Sequence, residues 1–389
     1  MQPLAAGIGL ERFHGSHAHV KIVADENIPG ILEWCGGLGD ITLVEGRTLQ
    51  RAQLLAAEVL LVRSVTRVDA ALLAGTPIRF VGSATSGIDH IDQSVLAARG
   101  ICFAATPGCN ARAVAEYILA CCLAYAEVLQ RSLSELTVGV VGCGHAGSAV
   151  VRLLALLGVR CLVSDPPRAR HEPAFSDVSL GEVLRADIVT LHVPLVAVGE
   201  WPTVDLIGTA QIATMKPRAL LINAARGGVL AEHAWLSEAG ERALILDCWR
   251  GEPAIDAAVL ETTWIASPHV AGHTVDARWR ATEMLAGALA AFLGKVSPAP
   301  PPALSAVTLP CPAADEEQLW QQLVFACCDP RRWTPALKAG PTASIGACFD
   351  RLRKQFGTRR EFAAHTVTGA DPQSGSGALL QALGFNLVA

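Results

Sequence analysis

The feature of this sequence that most constrains its fold is a glycine-rich turn, GCGHAG, at residues 142–147. The turn follows an apolar run, Thr137–Val141, that is typical of a buried strand, and it opens a segment with helical periodicity. In such a turn Gly142 permits the tight bend, Gly144 lets a pyrophosphate approach the backbone, and Gly147 lets the helix pack closely on the strand. The turn therefore predicts a dinucleotide-binding βαβ unit, with the phosphates at the helix N-terminus.

The next apolar run ends in Asp165, at the distance from the turn that a dinucleotide-binding unit requires. A carboxylate there can accept hydrogen bonds from both hydroxyls of the adenosine ribose and repels a phosphate on the 2′ oxygen. The predicted cofactor is therefore NAD, although Arg168 and Arg170 follow closely enough to leave a minor role for NADP open. The alternative interpretation is a glycine turn that serves only the fold, beside a surface aspartate.

Short apolar runs alternate with helical segments along most of the chain, which predicts parallel sheets covered on both faces. Three of these runs precede the long helix predicted at Ala111–Gln130, for which Asn110 is the expected N-cap. They are Lys21–Asp25, Val59–Val62 and Ile78–Gly82. Six more runs follow that helix, enough for a complete dinucleotide-binding domain. They are Val138–Gly142, Cys161–Asp165, Ile188–His192, Leu220–Asn223, Leu244–Asp247 and Thr263–Ala266.

The predicted fold class is α/β, with two doubly wound parallel-sheet domains of the Rossmann-like or flavodoxin-like kind and a small C-terminal domain. The stretch Val296–Pro302 contains four prolines and is predicted to be a linker. The expected division is a flexible extension at 1–19, a substrate domain at 20–110 plus 271–296, an NAD-binding domain at 111–270, and a small domain at 303–389.

Composition excludes several classes of protein. Hydrophobic residues make up 51% and charged residues 17% of the 389, which is typical of a compact globular chain. The net charge is -5 and the basic residues are scattered, so no nucleic-acid partner is expected. Neither a bilayer-spanning apolar run nor a secretion signal is found, so no membrane partner is expected. Twelve cysteines without a CxxC pair indicate reduced thiols and a cytoplasmic location.

Three later segments place reactive side chains at the ends of predicted strands, where open α/β sheets bind their ligands. Oxidation of a secondary alcohol beside a carboxylate needs a base, a cation for the carboxylate, and an acidic partner that orients the base. His269, Arg226 and Glu252 supply these three groups. Each of them alone is more often a surface or loop residue, but all three at strand ends after the glycine turn favour a catalytic site.

In order and spacing these segments resemble the D-2-hydroxyacid dehydrogenase superfamily, and motifs from about Lys21 to the end of the chain resemble its erythronate-4-phosphate dehydrogenase family. The motifs are Asp25-Glu26-Asn27, Val62-Arg63-Ser64-Val65-Thr66, Ala84-Thr85-Ser86-Gly87-Ile88-Asp89-His90, Pro107-Gly108-Cys109-Asn110, Asp165-Pro166-Pro167-Arg168 and Pro268-His269-Val270-Ala271-Gly272. The resemblance implies NAD-dependent oxidation of 4-phospho-D-erythronate to 3-hydroxy-2-oxo-4-phosphobutanoate, in pyridoxal 5′-phosphate biosynthesis.

The tail resembles the C-terminal dimerisation domain of that family, through the segments 352–356 and 359–362. The resemblance implies a small α+β dimerisation domain at 303–389 and a homodimer. Apolar stretches at 319–320, 323–325 and 382–385 are expected to contribute to the interface, because so small a unit gains from covering apolar surface with a second copy.

The resemblance also implies roles for residues at matching positions. The catalytic residues are Arg226, Glu252 and His269. The cofactor contacts are Gly142, Gly144, Gly147, Asp165, Ala224, Ala225, Asp247 and Gly272. The substrate contacts are Ser64, Thr85 and His273, and no metal is expected. Two positions depart from the family pattern, since His273 stands where Tyr is usual and Val193 where a Thr hydroxyl usually meets the cofactor.

Two alternatives to this function stay open at the level of sequence. One is another D-2-hydroxyacid dehydrogenase, such as one that acts on 3-phosphoglycerate, and the other is a non-catalytic NAD-sensing scaffold. The cation that would bind a substrate phosphate is also open, with Arg63 as one candidate and a tail cluster as the other. The tail cluster consists of Arg351, Arg353, Lys354, Arg359 and Arg360, for which a solvated helix face is the favoured interpretation.

Overall fold

The structure is a computed structural model that describes residues 20–312, 316–340, 344–355 and 357–388, apart from the side chains of Glu316 and Glu317. The extension expected at residues 1–19 and Phe356 of the tail motif lie outside the described residues. Packing divides the chain into two compact units. The first comprises the described residues up to Cys109 together with Asp276–Leu304, and the second comprises Asn110–Val275 and the described residues from Ser305 onward.

The strands and helices alternate along the chain. The strands are β1 (Lys21–Asp25), β2 (Asp40–Val44), β3 (Val59–Val62), β4 (Phe80–Ser83), β5 (Cys102–Ala104), β6 (Thr137–Val141), β7 (Arg160–Ser164), β8 (Ile188–Leu191), β9 (Leu220–Asn223), β10 (Ala243–Leu246), β11 (Ile265–Ala266), β12 (Val307–Pro310), β13 (His365–Thr368) and β14 (Asn386–Val388). The helices are α1 (Ile31–Cys35), α2 (Ala70–Leu73), α3 (Gln93–Ala98), α4 (Ala111–Leu129), α5 (His145–Ala155), α6 (Pro166–His171), α7 (Leu180–Val183), α8 (Thr209–Thr214), α9 (Glu232–Glu238), α10 (Ala257–Thr262), α11 (Val275–Phe292), α12 (Glu316–Cys327), α13 (Thr334–Lys338), α14 (Ile345–Gln355) and α15 (Gly375–Ala382).

The first unit contains a five-stranded parallel sheet in the order β2-β1-β3-β4-β5, which is the flavodoxin-like order. On one face, Leu285 and Leu289 of α11 pack in the same buried cluster as Ile22 and Phe80 of the sheet. The two edge strands, β2 and β5, are additional to the three predicted. Only Val44 of β2 is buried, so this edge strand lacks the continuous apolar run that marks a central strand.

The second unit contains a six-stranded parallel sheet in the order β11-β10-β9-β8-β6-β7. All six predicted strands are present, with bounds that differ by at most two residues, and β9 matches its prediction at both ends. Beyond β7, the amide of Val178 donates to the carbonyl of Val163 at 2.9 Å. An extended segment at Val178 therefore lies where a further edge strand would stand. The strand order reverses between β6 and β8, which places the ligand crevice at the carboxyl end of β6.

The predicted long helix is confirmed as α4, and it is buried on nearly all sides from Ala113 to Ala126. An apolar surface around the whole circumference is typical of such a central helix. Asn110 occupies the N-cap position, but its side chain makes no capping hydrogen bond. None of the helices in the described ranges is long and apolar enough to cross a membrane.

The C-terminal part contains a three-stranded sheet, β12-β13-β14, and its strands are also parallel, with helices between them, where an α+β arrangement was expected. Several apolar tail residues expected at a dimer interface are buried within this chain, while Trp320 and Phe325 are only partly buried. Leu323, Val324, Leu383 and Phe385 are buried in the same cluster as α4. The doubly wound α/β fold is therefore confirmed, and the further division into NAD-binding and dimerisation domains stays a prediction.

Candidate active site

The glycine-rich turn has the geometry that a bound dinucleotide requires. Gly142 has a positive φ of 87°, which residues with a side chain rarely adopt. A Cβ on Gly147 would lie 2.0 Å from the carbonyl oxygen of Gly142, so only glycine allows α5 to pack this closely on β6. A Cβ on Gly144 would meet nothing within 4 Å, which leaves open space at the N-terminus of α5. These three observations fit a pyrophosphate beside the turn.

Asp165, directly after β7, connects the end of that strand to the glycine turn. One carboxylate oxygen accepts from the amide of Cys143 at 2.7 Å, and the other accepts from the amide of Arg168 at 3.0 Å as the N-cap of α6. Arg168 in turn donates to the Cys143 carbonyl at 2.8 Å and to Glu172 at 2.9 Å. Each carboxylate oxygen can still accept a second hydrogen bond, so the predicted contact with the ribose hydroxyls remains chemically available.

The loop after β9 carries Arg226 and is shaped by a buried amide, Asn223, which sequence reasoning did not assign to the site. The Asn223 side chain donates to the Arg226 carbonyl at 2.9 Å and accepts from the Ala225 amide at 3.1 Å. A Cβ on Gly227 would lie 1.8 Å from the carbonyl oxygen of Trp249. Glycine at this position therefore lets the loop after β9 touch the loop after β10, which brings Arg226 to the edge of the sheet that carries Glu252.

Glu252 and His269 form a direct pair, as the sequence predicted for a catalytic base and its orienting acid. The distance from His269 Nδ1 to Glu252 Oε2 is 2.7 Å, and the other carboxylate oxygen accepts from the Trp249 amide at 2.7 Å. Burial favours the protonated form of Glu252, but the charge and hydrogen bond of His269 outweigh it and lower the pKa of this carboxyl. Because Glu252 is then a carboxylate, Nδ1 carries the proton and Nε2 is left as the acceptor.

The backbone at His269, the predicted catalytic base, has an unusual conformation, and Asp247 holds the residues that follow it. His269 has a φ of 56°, in the left-handed region that residues other than glycine rarely adopt. The buried Asp247 carboxylate accepts from the amides of Val270 and Ala271 at 2.7 and 2.9 Å, and from the Ser267 hydroxyl at 2.6 Å. The observed partners of Asp247 are thus those of a loop support, and its contact with the cofactor stays a prediction.

The C-terminal segment supports the same loop from a distant part of the sequence. Arg359 donates to the carbonyls of Ala271 and Ala113, the latter at 3.1 Å, and its own carbonyl accepts from the Val275 amide at 2.9 Å. Its guanidinium also lies 2.9 Å from the sulfur of Cys328. Arg359 therefore does not belong to a solvated helix face, and its donors are used inside the chain. Arg353 of the same cluster lies close enough to Glu252 to help lower the pKa of that carboxyl.

The remaining predicted contacts have neighbours that explain their local structure, while their binding roles stay predictions. A Cβ on Gly272 would lie 2.4 Å from the Asn110 side chain, so close packing alone requires glycine there. The His273 amide donates to the Val270 carbonyl at 2.9 Å. In the first unit, Ser64 is exposed, and the Thr85 hydroxyl donates to the Gly87 carbonyl at 2.9 Å.

Comparison with known proteins agrees with this geometry. A family model for the NAD-binding domain of D-isomer specific 2-hydroxyacid dehydrogenases matches residues 116–271. The erythronate-4-phosphate dehydrogenase of Marinobacter nauticus is 42% identical over 383 residues, which cover 94% of this chain and 99% of the relative. The enzyme of the same name from Escherichia coli O1:K1 is 40% identical over 379 residues, covering 95% and 99%.

Solved structures share the fold at lower sequence identity. An NAD+-bound 3-phosphoglycerate dehydrogenase from Entamoeba histolytica matches with a TM-score of 0.61 and 23% identity, over 74% of this chain and 100% of that chain. A D-lactate dehydrogenase from Aquifex aeolicus, in complex with NAD and lactic acid, matches with a TM-score of 0.58 and 24% identity, over 70% and 95%. The relatives at 40% and 42% identity match nearly the full chain, and the family model matches its NAD-binding domain. The chain therefore belongs to the erythronate-4-phosphate dehydrogenase family of NAD-dependent D-2-hydroxyacid dehydrogenases.

Proposed function

We propose that the chain oxidises 4-phospho-D-erythronate at C2 to 3-hydroxy-2-oxo-4-phosphobutanoate, with NAD as the hydride acceptor, in pyridoxal 5′-phosphate biosynthesis. The observation that carries the proposal is the 2.7 Å pair of Glu252 and His269 at the strand ends of the NAD-binding sheet. The names of relatives at 40% and 42% identity support the four-carbon phosphorylated substrate over 3-phosphoglycerate. A scaffold without catalysis would have no need for this pair.

The proposed mechanism divides the work among three side chains. His269 accepts the proton of the C2 hydroxyl on Nε2, because Nδ1 is engaged by Glu252. Glu252 fixes the ring orientation and stabilises the imidazolium that forms. Arg226 binds the substrate carboxylate and polarises the developing carbonyl oxygen. Bound NAD supplies the nicotinamide ring that takes the hydride from C2.

The phosphate of the substrate is proposed to accept from the hydroxyl groups of Ser64 and Thr85 in the first unit, with Thr85 exchanging its hydrogen bond to the Gly87 carbonyl for one to the phosphate. Arg63, next to Ser64, forms an ion pair of 3.0 Å with the buried Asp25, which fixes the direction of its guanidinium. A guanidinium held in this way keeps further N–H donors for an anion. His273, in place of the usual Tyr, is the third proposed substrate contact, since an imidazole can also donate to an oxygen.

The test is the rate of NAD reduction with a panel of acids. We expect kcat/KM for 4-phospho-D-erythronate to exceed that for unphosphorylated erythronate by on the order of 10² or more, because a lost phosphate contact leaves charged groups unpaired. 3-Phosphoglycerate is expected to be a poorer substrate as well. A higher kcat/KM with 3-phosphoglycerate would assign the chain to a different member of the superfamily.

Two further parts of the proposal concern the assembled protein. We propose a homodimer, because the C-terminal sheet ends in the edge strands β12 and β14 and Val388 of β14 is exposed. Light scattering should then give a mass of twice 40.8 kDa, and a value of 40.8 kDa at assay concentration would contradict it.

A cytoplasmic location is proposed because the described part of the chain contains no disulfide. Fractionation of cells tests it.

A further inference from the structure

A third chemically active side chain lies beside the catalytic pair. Within the described ranges, Cys248, Glu252 and His269 are the one group of three whose possible metal-ligand atoms all lie within 4.8 Å of one another. Cys248 comes directly after Asp247, is buried, and directs its sulfur to the Ala225 carbonyl at 3.4 Å. The reaction proposed above uses Glu252 and His269 but assigns nothing to this thiol.

A thiolate, a carboxylate and an imidazole are the three ligand types that Zn²⁺ prefers in proteins. In a tetrahedral site with metal–ligand distances of about 2.0–2.3 Å, neighbouring ligand atoms lie roughly 3.5 Å apart. The three groups can therefore close around an ion with side-chain shifts of about 1 Å, without movement of the strands. Three protein ligands and one open position are typical of zinc sites that face a substrate pocket.

We propose that Cys248, Glu252 and His269 form an inhibitory binding site for Zn²⁺ and similar thiophilic cations. This inference rests on the proposed function, because inhibition follows from occupation of the catalytic pair. The ion takes Nδ1 of His269, so the single ring proton of the neutral imidazole moves to Nε2. The ring then has no lone pair left for the proton of the substrate hydroxyl, and oxidation stops.

The thiol makes the site selective. Glu252 and His269 alone offer two ligands, which bind a divalent cation only weakly. The Cys248 thiolate adds a third ligand, and a thiolate favours Zn²⁺ over Mg²⁺ and Ca²⁺. Burial raises the pKa of the Cys248 thiol, with Arg226 and Arg353 opposing it in part, so the thiol is protonated until a metal displaces its proton. Binding of one ion therefore releases one proton to solvent.

The experiment compares zinc inhibition of the full-length enzyme and its Cys248→Ala variant, in metal-free buffer, with whichever 2-hydroxy acid the enzyme oxidises. We expect the zinc concentration for half-inhibition to rise at least tenfold in the variant, while Mg²⁺ has no effect on either protein. Cys102→Ala, which removes a half-exposed thiol of the first unit, is the matched control and should keep the wild-type sensitivity. Equal sensitivity of wild type and Cys248→Ala would overturn the proposal.

A second measurement needs no turnover and so separates this proposal from the proposed function. Co²⁺ bound through Cys248 should show a thiolate-to-cobalt charge-transfer absorption that Zn²⁺ displaces and that Cys248→Ala abolishes. Cys248→Ser keeps the side-chain volume and serves if the alanine variant fails to fold. Absence of the absorption from the wild-type protein under inhibiting concentrations would also overturn the assignment, whatever acid proves to be the substrate.

Discussion

Two loops at the same edge of the NAD-binding sheet are supported in opposite ways. The loop segment after β7, Asp165–Glu172, which contains the short helix α6, takes most of its hydrogen bonds from itself and from the nearby glycine turn, and much of it is exposed. The loop after β11, Ser267–Thr274, is held by the buried Asp247 and by Arg359 from the C-terminal segment. In the exposed network around Asp165, one hydrogen bond can be exchanged for another without disturbing the rest. The buried network of Asp247 and Arg359 instead fixes the backbone position of the loop after β11.

The difference agrees with the roles proposed for the two segments, cofactor choice for the one with Asp165 and proton transfer for the one with His269. A loop that distinguishes two forms of a cofactor needs only a charge of the right sign at the right place. A loop that presents a catalytic base needs a fixed side-chain position, since a misplacement of about 1 Å can cost 10²-fold in rate. The left-handed backbone of His269 costs of order 1–3 kcal/mol, which the surrounding hydrogen bonds must offset.

The largest effect on kcat is expected from substitution of His269, which lies in the loop that Asp247 and Arg359 hold in place. His269→Ala should lower kcat by about 10² to 10⁴, because the proton acceptor is lost while the cofactor turn is untouched. His233→Ala, which removes an exposed histidine of the same unit, is the control and should keep wild-type turnover. Steady-state kinetics with circular dichroism decide the matter, and near wild-type turnover in folded His269→Ala would refute the assignment.

A smaller loss is expected when the distant support is removed. Arg359→Met should lower kcat by roughly tenfold with little change in KM for NAD, because one charge-assisted hydrogen bond to the loop is worth about 1.5–3 kcal/mol. Added guanidinium should restore part of kcat. Arg360→Met, which removes a contact with the Ser305 carbonyl, is the adjacent control. A folded Arg359→Met protein with wild-type kcat would show that the loop needs no support from the tail.

A change at Asp165, in the exposed segment after β7, should alter the preference between NAD and NADP and leave kcat with NAD largely unchanged. Asp165→Asn removes one negative charge beside the glycine turn and should raise the ratio of kcat/KM for NADP to kcat/KM for NAD by about tenfold. Repulsion between a partly exposed carboxylate and the 2′-phosphate of NADP is of order 1.4 kcal/mol, which corresponds to this factor. Arg168→Met in the same background should reduce this gain. Initial rates with both cofactors measure it, and an unchanged ratio would place cofactor choice elsewhere.

The last prediction concerns the stability of the fold around the buried Glu116, and the smallest effect on catalysis is expected from it. Burial raises the pKa of Glu116 to about 7, with Arg112 opposing and Glu361 adding to the rise, and Glu116 accepts from the Phe362 amide. The folded-state pKa lies above the unfolded value, so the folded protein binds more protons and loses stability as pH rises from about 4.5 to about 7.

The loss over this range should be on the order of 3 kcal/mol, because each unit of pKa shift corresponds to about 1.4 kcal/mol. Glu116→Gln should flatten the dependence, whereas Glu135→Gln, at an exposed position of the same unit, should leave it as in the wild type. Urea unfolding at pH 5 and pH 8 measures both. A dependence that survives in Glu116→Gln would mean that other groups carry it.

The sequence was informative wherever partners lie close along the chain. The glycine turn, the apolar strands of both sheets and the order of Arg226, Glu252 and His269 were all predicted, because each is a local pattern. The structure brings Glu252 and His269 together as expected. The edge strand β2 escaped prediction because Asp40 and Thr42 interrupt its apolar residues, which leaves no continuous apolar run.

Contacts between residues far apart in the sequence, such as those of Asp247 and Arg359 with the loop after β11, produce no local sequence pattern. Asp247 was expected at the cofactor, and nothing in its local sequence indicates that both carboxylate oxygens accept from the loop after β11. Arg359 stood in a run of basic residues that suggested a solvated surface. Its contact with Ala271 spans 88 residues of sequence, a separation over which a single chain carries no periodic signal.

The contact between Arg359 and Ala271 also has a consequence for the order of events during synthesis. His269 leaves the ribosome long before Arg359 is translated, and the buried clusters of the NAD-binding sheet also contain tail residues, among them Val324, Phe349 and Phe362. The catalytic loop acquires its last support only when the C-terminal segment docks on α4 and Val275. If His269 is the base, as proposed, we therefore expect dehydrogenase activity to appear only after the C-terminal segment has folded onto the loop after β11.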